Sequence, residues 1–283
     1  MKRVFSIGAL ALACAAPVLM AQPKPKSQGE LDALKAMFTA TTADARIAAA
    51  ENVLTKYKDT EFKAVALYFE AASYEQKGDY EDTIVFGERT LEADPSHFQV
   101  MLMLAQNIAT HTKEFDLDRE EKLAKVEKYA RGALILIPNA TKPNPTLSDD
   151  QWTTAKKEFT AQAHVALGTA ALARRKYDVA ETEFKTAIES KADPATLVRL
   201  GSAYTLDAKY DDAIAQFDKV MAMTDASTQI KQIAQAERVR AIQKKGASAK
   251  PGSPSTSTAP AAPAAPAAPA APAPPQQLEV KKP

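Results

Sequence analysis

Cysteine and histidine are almost absent from this chain, which has one cysteine and three histidines among its 283 residues. The single thiol, Cys14, cannot form an intramolecular disulfide, and removal of the N-terminal segment would leave no thiol for catalysis or metal ligation. His97, His111 and His164 do not show the spacing of metal ligands. We therefore expect neither a disulfide framework nor a metal centre.

Glycine is also scarce, and only five glycines lie between Gly29 and Gly246. Few positions are therefore left for tight turns, and helix is favoured throughout. The chain contains no phosphate-binding glycine loop, no HExxH motif and no GxSxG motif. We expect a protein without enzymatic activity and without a cofactor.

Neither sign of charge is in excess, because 36 Lys and Arg residues nearly balance 35 Asp and Glu residues. A nucleic-acid-binding protein usually carries a basic patch or stripe, and this sequence shows none. Nucleic acid is therefore not an expected partner.

One pattern occurs twice at an offset of 33 residues. Its two copies are Leu167, Gly168, Tyr177, Ala180 and Phe184, and then Leu200, Gly201, Tyr210, Ala213 and Phe217. A repeat of this length is typical of one helical hairpin in a solenoid. The pattern resembles the tetratricopeptide repeat, which implies an all-α, right-handed α-solenoid that binds other polypeptides.

The same register extends the resemblance over residues 29–245. It predicts repeats at about 31–60, 64–97, 98–138, 161–193 and 194–227, followed by a capping helix at 227–245. The predicted buried side of this cap consists of Ile230, Ile233, Ala234, Ala241 and Ile242. We expect Gly246 to end the cap, since glycine commonly follows a helix.

Two repeats depart from the pattern. In the second, Gly87 stands where a large apolar residue is usual, which predicts loose packing with Phe69 and Phe86 filling the space. The third is nine residues too long, and the surplus lies near residues 111–120. Asp116 and Asp118 there superficially resemble a calcium loop, but the glycine that such a loop requires is missing, so calcium is not favoured.

A long helix is predicted from Asp149 to Ala173, because Ser148 and Gln151 form a capping-box pattern before it. Its N-terminal extension carries an apolar stripe that includes Trp152 and Phe159. Two interpretations remain open for these two residues: the stripe packs on the preceding hairpin, or it forms an exposed ridge that binds a partner.

Residues 1–21 are predicted to be a signal peptide, with a basic start, an apolar run from Val4 to Leu12 and a cleavage site after Ala21. An uncleaved signal or a lipid on Cys14 would instead tether the chain to a membrane. Residues 22–28 form a short linker. We expect an exported protein of the periplasm or cell envelope, or a secreted one.

Residues 246–283 contain ten of the 18 prolines and are predicted to be a disordered Pro/Ala-rich tail. Pro260, Pro263, Pro266, Pro269 and Pro272 recur at period three, which is typical of polyproline II. The tail is either a passive spacer or an arm that presents residues 278–282 to a partner.

The tetratricopeptide resemblance implies a groove lined by fixed positions of each first helix. The positions that we select are Tyr68, Gln76, Gln99, Leu102, Gln106, Gln162, Val165, Thr169, Leu172, Val198, Ser202 and Leu206. None is Lys or Arg, and only the neighbouring Arg199 could contribute a cation. We therefore expect a largely uncharged groove that holds a peptide without clamping a C-terminal carboxylate.

These expectations combine into a function without catalysis. The favoured hypothesis is a protein-protein interaction scaffold or adaptor of the bacterial cell envelope that binds a protein or peptide. The alternative is a structural or assembly factor of the envelope that is tethered to the membrane or wall.

Overall fold

The computed structural model describes residues 23–143 and 146–248. This part of the chain is entirely helical, as predicted, and contains eleven α-helices and one short 3-10 helix, Ile137–Asn139. The α-helices are α1 (Gln28–Thr39), α2 (Ala43–Lys56), α3 (Lys63–Lys77), α4 (Tyr80–Ala93), α5 (Phe98–His111), α6 (Arg119–Leu136), α7 (Asp149–Ala173), α8 (Tyr177–Ser190), α9 (Pro194–Leu206), α10 (Tyr210–Ala222) and α11 (Thr228–Ser248).

The predicted signal peptide at 1–21 lies outside the described residues, as does the predicted tail from residue 249 onward. None of the helices in the described ranges is both long enough and apolar enough to span a membrane.

Side-chain caps fix where several helices begin. At the start of α7, the Ser148 hydroxyl oxygen accepts the Gln151 backbone N–H at 3.1 Å, and the Gln151 side-chain oxygen accepts the Ser148 backbone N–H at 2.9 Å. This confirms the predicted capping box. Asp79 and Asp193 cap α4 and α9 in the same way, each accepting a backbone N–H three residues on. The caps satisfy donors that a helix start leaves unpaired.

Consecutive helices pack as antiparallel hairpins, and each hairpin packs on the next. The doubled sequence pattern corresponds to a repeated contact inside the fourth and fifth hairpins. A Cβ atom on Gly168 would lie 2.6 Å from Phe184 Cε1, and one on Gly201 would lie 2.6 Å from Phe217 Cε1. Only glycine lets the two helices of each hairpin approach this closely around a fully buried ring.

The second hairpin is tightly packed at Gly87, so the prediction of loose packing was wrong. A Cβ atom on Gly87 would lie 2.7 Å from Cδ2 of Leu104, which belongs to the next hairpin. Phe86 stacks on Tyr74 instead, with ring centroids 5.1 Å apart, and Phe69 packs against other aromatic rings. Gly87 therefore leaves the space that the Leu104 side chain of the next hairpin occupies.

The surplus of the third repeat forms the loop between α5 and α6. Within this loop, Asp116 and Asp118 both contact the Lys122 ammonium group, at 2.9 and 3.0 Å. Hydrogen bonds from Lys122 and from the Lys113 backbone lower the pKa of Asp116. Lys122 thus supplies the positive charge for this acidic loop. Across the described ranges, no group of three or more His, Cys, Asp or Glu residues could hold a metal ion.

The exposed ridge considered for Trp152 and Phe159 is not formed. Trp152 is 6% exposed, and its indole N–H donates to the Ala140 carbonyl at 3.1 Å. Phe159 lies edge-on against Phe98, with ring centroids 5.2 Å apart. The extension of α7 lies along the third hairpin, which buries the apolar stripe as in our other interpretation. The polar end of the indole finds its acceptor in the loop after the 3-10 helix.

The last helix, α11, continues through Gly246 to Ser248, so the predicted end of the cap was wrong by three residues. Among the described residues outside its own stretch of helix, none has an atom within 4 Å of the position where a Cβ on Gly246 would stand. Glycine can adopt helical angles, and no packing contact forces the chain to turn there.

Candidate functional site

A pocket of about 220 Å³ lies between the first helices of the third, fourth and fifth hairpins, α5, α7 and α9. It is lined by Gln106, Glu158, Ala161, Gln162, Val165, Lys191, Asp193, Thr196 and Arg199. The lining combines small apolar groups and two amide side chains with four charged residues, Glu158, Lys191, Asp193 and Arg199, which we call the charged rim. First helices of three neighbouring hairpins meet at this pocket.

Three of the twelve predicted groove residues line this pocket: Gln106, Gln162 and Val165. Gln106 lies on α5, and the other two lie one helical turn apart on α7. Both amides are exposed and make no hydrogen bond within the described residues, so they can donate to and accept from a bound chain.

Leu102 and Tyr68 do not offer the surface that the repeat register predicted. Leu102 is 4% exposed and belongs to the core that also contains Trp152, so its assignment to the groove was wrong. The extended α7 packs along α5 and covers this face. Tyr68 packs its ring against His97, with centroids 4.8 Å apart, and burial raises the pKa of its hydroxyl.

The other predicted groove residues lie outside the pocket. Gln76 is exposed and accepts a hydrogen bond from the Arg46 guanidinium at 3.2 Å. Leu206, at the end of α9, is 49% exposed. The remaining five are half-buried along the first helices: Gln99, Thr169, Leu172, Val198 and Ser202.

The charged rim is the part of the pocket that the repeat register missed. Lys191, just after α8, forms an ion pair with Glu158 of α7. Asp193 caps α9 by accepting both the backbone N–H and the hydroxyl of Thr196, each at 2.9 Å. The Asp193-Pro194 dipeptide was a visible cap signal, but Glu158 reaches the rim only because α7 is longer than a normal repeat helix.

Arg199 is the available cation of the pocket. Its side chain is half-buried and makes no hydrogen bond or ion pair with any residue in the described ranges. Arg174, by contrast, is fully engaged by Glu120 and Glu127, both at 2.8 Å. Since Glu158 and Asp193 balance Lys191 and Arg199, the formal charge of the lining sums to zero.

His164 lies on α7 close to this pocket but has a partner of its own. Its Nδ1 is 2.7 Å from Oε2 of Glu183 on α8, and both side chains are largely buried. The pair joins the two helices of the fourth hairpin.

The same architecture occurs in the crystal structure of TTC0263, a thermophilic TPR protein from Thermus thermophilus. The two structures match with a TM-score of 0.52 and 16% sequence identity over 74% of this chain and 99% of that chain. The fold is that of a tetratricopeptide-repeat protein. The fold implied by the Gly168 and Gly201 pattern is therefore confirmed, at an identity too low to show more than fold.

A second solved structure, residues 1–338 of Acl4, the assembly chaperone of RpL4, matches with a TM-score of 0.39. Its identity is 11%, over 80% of this chain and 100% of that chain. No family model and no curated protein sequence matches this chain.

Proposed function

We propose that this tetratricopeptide-repeat chain is a non-enzymatic interaction scaffold of the bacterial cell envelope that binds an extended polypeptide in the pocket between α5, α7 and α9. The observation that carries the proposal is a recess between three first helices that contains two amides and one guanidinium without side-chain partners in the described part of the chain. Scaffolds of this fold use such inner surfaces to hold other polypeptides.

The size of the pocket favours a segment of a longer chain over a small molecule. Its volume, about 220 Å³, is below the range of roughly 300–1,000 Å³ that is usual for small-molecule sites. The recess would hold one anchoring portion of a peptide, while the rest of the peptide lies along the neighbouring first helices.

The chemistry of the lining fits peptide backbone better than a strongly charged ligand. The amides of Gln106 and Gln162 can each pair with a peptide N–H or carbonyl, and Val165 offers an apolar contact. The Arg199 guanidinium can donate to one carbonyl or carboxylate oxygen. Because the lining charges sum to zero, net ligand charge would contribute little to affinity.

The location in the envelope rests on the first 21 residues. Lys2 and Arg3 precede the apolar run, and small residues precede Gln22. Cell fractionation with mass spectrometry of the mature N-terminus would test this part of the proposal. A terminus at Gln22 supports an exported soluble scaffold, an acylated Cys14 supports a tethered one, and an intact cytosolic chain contradicts export.

Binding would be tested by selecting displayed random peptides against the full chain and measuring the affinity of a recovered peptide by fluorescence anisotropy. We expect Arg199→Gln or Gln162→Ala to weaken binding about tenfold, which corresponds to roughly 1.4 kcal/mol. Arg131→Gln is the matched control, because Arg131 is exposed on α6 and has no side-chain partner within the described residues. Equal affinities for all variants, or no recovered peptide, would contradict the proposal.

A further inference from the structure

A second recess, larger and more apolar, lies between α10 and α11 at the C-terminal end of the solenoid. Its volume is about 700 Å³. It is lined by Met221, Thr228, Lys231, Gln232, Gln235, Ala236 and Val239. The lining contains no carboxylate and no aromatic ring. We call this recess the end groove.

The end groove lies where, within residues 23–143 and 146–248, no further helix follows α11 to cover it. Ala234 and Ala241 are fully buried against α9 and α10. Ile233, Val239 and Ile242 remain 42%, 41% and 43% exposed, so the prediction that Ile233 and Ile242 are buried was wrong. The first helices α3, α5, α7 and α9 are each covered by the helix that follows them.

The polar side chains of the end groove have no hydrogen-bond partner in the described part of the chain. The Lys231 ammonium, the Gln232 and Gln235 amides and the Thr228 hydroxyl make no side-chain hydrogen bond there. Other cations of α11 are engaged, as the Arg238 ion pair with Asp218 at 2.7 Å shows. The groove thus offers apolar contacts from Met221, Ala236 and Val239 beside amide, hydroxyl and ammonium donors, and an uncharged occupant with small apolar side chains and free carbonyl groups fits both.

We propose that the Ala/Pro segment of this same chain, residues 259–275, docks in the end groove. The segment consists only of alanine and proline, and it carries no charge. Seven of its 17 residues are prolines, which have a carbonyl acceptor but no N–H donor. In polyproline II geometry all carbonyls are free to accept, so the segment can accept hydrogen bonds from the Lys231 ammonium and from the Gln232 and Gln235 amide N–H groups.

The chain length between groove and segment permits this docking. Residues 249–258 span up to about 35 Å when extended. Ser248 lies about 14 Å from Val239 and about 30 Å from Thr228 along the axis of α11. Each Ala-Ala-Pro step covers about 9 Å, so two steps match the length of the groove and several registers are equivalent. A tether this short gives an effective concentration in the millimolar range, which suits a weak groove without aromatic rings.

A second copy of the chain fits the groove less well. Helix α11 carries five basic residues and one acidic residue, so pairing α11 with its own copy would bring like charges together. The uncharged Ala/Pro segment meets no such repulsion.

Hydrogen exchange of α11 in the full chain would test the docking. The comparison is a chain of equal length in which residues 259–275 are replaced by Gly and Ser. With the docked state populated about half the time or more, we expect amides of residues 228–239 to exchange about two- to threefold more slowly in the natural chain. Identical exchange in the two chains would overturn the proposal.

Two further experiments identify what occupies the end groove. Val239→Asp should abolish the protection, whereas Val179→Asp, at a similarly exposed valine on α8, should leave it intact. A synthetic peptide of residues 259–275, added at millimolar concentration, should restore protection to the Gly/Ser chain. Protection that rises with protein concentration would show a second copy in the groove and would overturn the proposal.

Discussion

The Glu30 carboxylate accepts a hydrogen bond from the Thr60 hydroxyl, with 2.6 Å between Oε1 and Oγ1. Both side chains are buried, and Oε2 of Glu30 accepts the Lys26 backbone N–H, also at 2.6 Å. The pair ties the first helix to the loop between α2 and α3. The hydrogen bonds from Thr60 and Lys26 hold the pKa of Glu30 below its usual range.

Replacing Thr60 with valine should therefore destabilise the N-terminal hairpin by about 1–3 kcal/mol, because a buried carboxylate loses a donor. Because the pKa of Glu30 is lower in the folded than in the unfolded chain, its carboxylate stabilises the fold at pH values above the unfolded pKa of about 4.5. This stabilisation is lost as the pH falls through the folded pKa. The difference in the free energy of unfolding between wild type and Thr60→Val should thus be larger at pH 7 than at pH 3. Urea unfolding followed by circular dichroism measures both, with Thr55→Val as the exposed control.

Glu70 should show the opposite dependence on pH. It is 1% exposed on α3, and its Oε2 has no hydrogen-bond partner among the described residues. Burial raises its pKa to about 7, while the charge of Arg89 lowers the pKa and that of Glu51 raises it further. Because the pKa of Glu70 is higher in the folded than in the unfolded chain, its contribution to the stability of the fold is fully present below about pH 4.5. As the pH rises to about 7, the unfolded chain releases the Glu70 proton first, and this contribution is lost.

Glu70→Leu should accordingly stabilise the fold at pH 8 by about 2 kcal/mol after allowance for solvent screening, with little gain at pH 4.5. Glu92→Leu, at an exposed glutamate on α4, is the control and should change little. Chemical unfolding at the two pH values provides the measurement. A gain that does not vary with pH would contradict this account of Glu70.

Gly168→Ala should destabilise the fourth hairpin by about 1–3 kcal/mol, because its Cβ would overlap the buried Phe184 ring. Gly132→Ala is the matched comparison on α6. Its Cβ would lie 3.0 Å from the Met101 sulfur, and a flexible methionine can move aside. Helix propensity then favours alanine at Gly132 by up to about 1 kcal/mol. Thermal melts should therefore separate the two variants, and similar losses in both would refute the contact argument.

Acidic peptides with a free C-terminus should not bind the full chain with micromolar affinity. A carboxylate clamp needs several converging cations, whereas here Arg199 is accompanied by Glu158 and Asp193, and Lys191 is already paired. Isothermal titration with such a peptide tests this. Micromolar binding that Arg199→Ala abolishes would show that the prediction is wrong.

Structural features that depend on residues close to one another in sequence, or on the repeat spacing, could be predicted from the sequence. The helices follow from apolar periodicity and caps, and the contact between Gly168 and Phe184 recurs at the repeat spacing. Gly87 was misread, because its packing partner, Leu104, belongs to another hairpin and no local pattern reveals it.

The pocket was only partly predictable for a related reason. Gln106, Gln162 and Val165, which the repeat register selected, line the pocket, because these positions depend on regular stacking of first helices. The register failed at Leu102, since the added turns of α7 cover that face of α5, and the same turns bring Glu158 to the rim. The length of α7 could be read from the sequence, but the direction in which its extension packs could not.

Helix α7 also changes how this solenoid should unfold. In a regular repeat array, each hairpin contacts only its neighbours, and the ends can melt separately. Here one continuous helix supplies Trp152 through Ala170 to the core of the third hairpin and Ala171 to the core of the last two. Helix α7 thus connects the two hydrophobic cores. The central hairpins should therefore unfold as a single cooperative unit, and the outer hairpins should unfold separately at lower free energy.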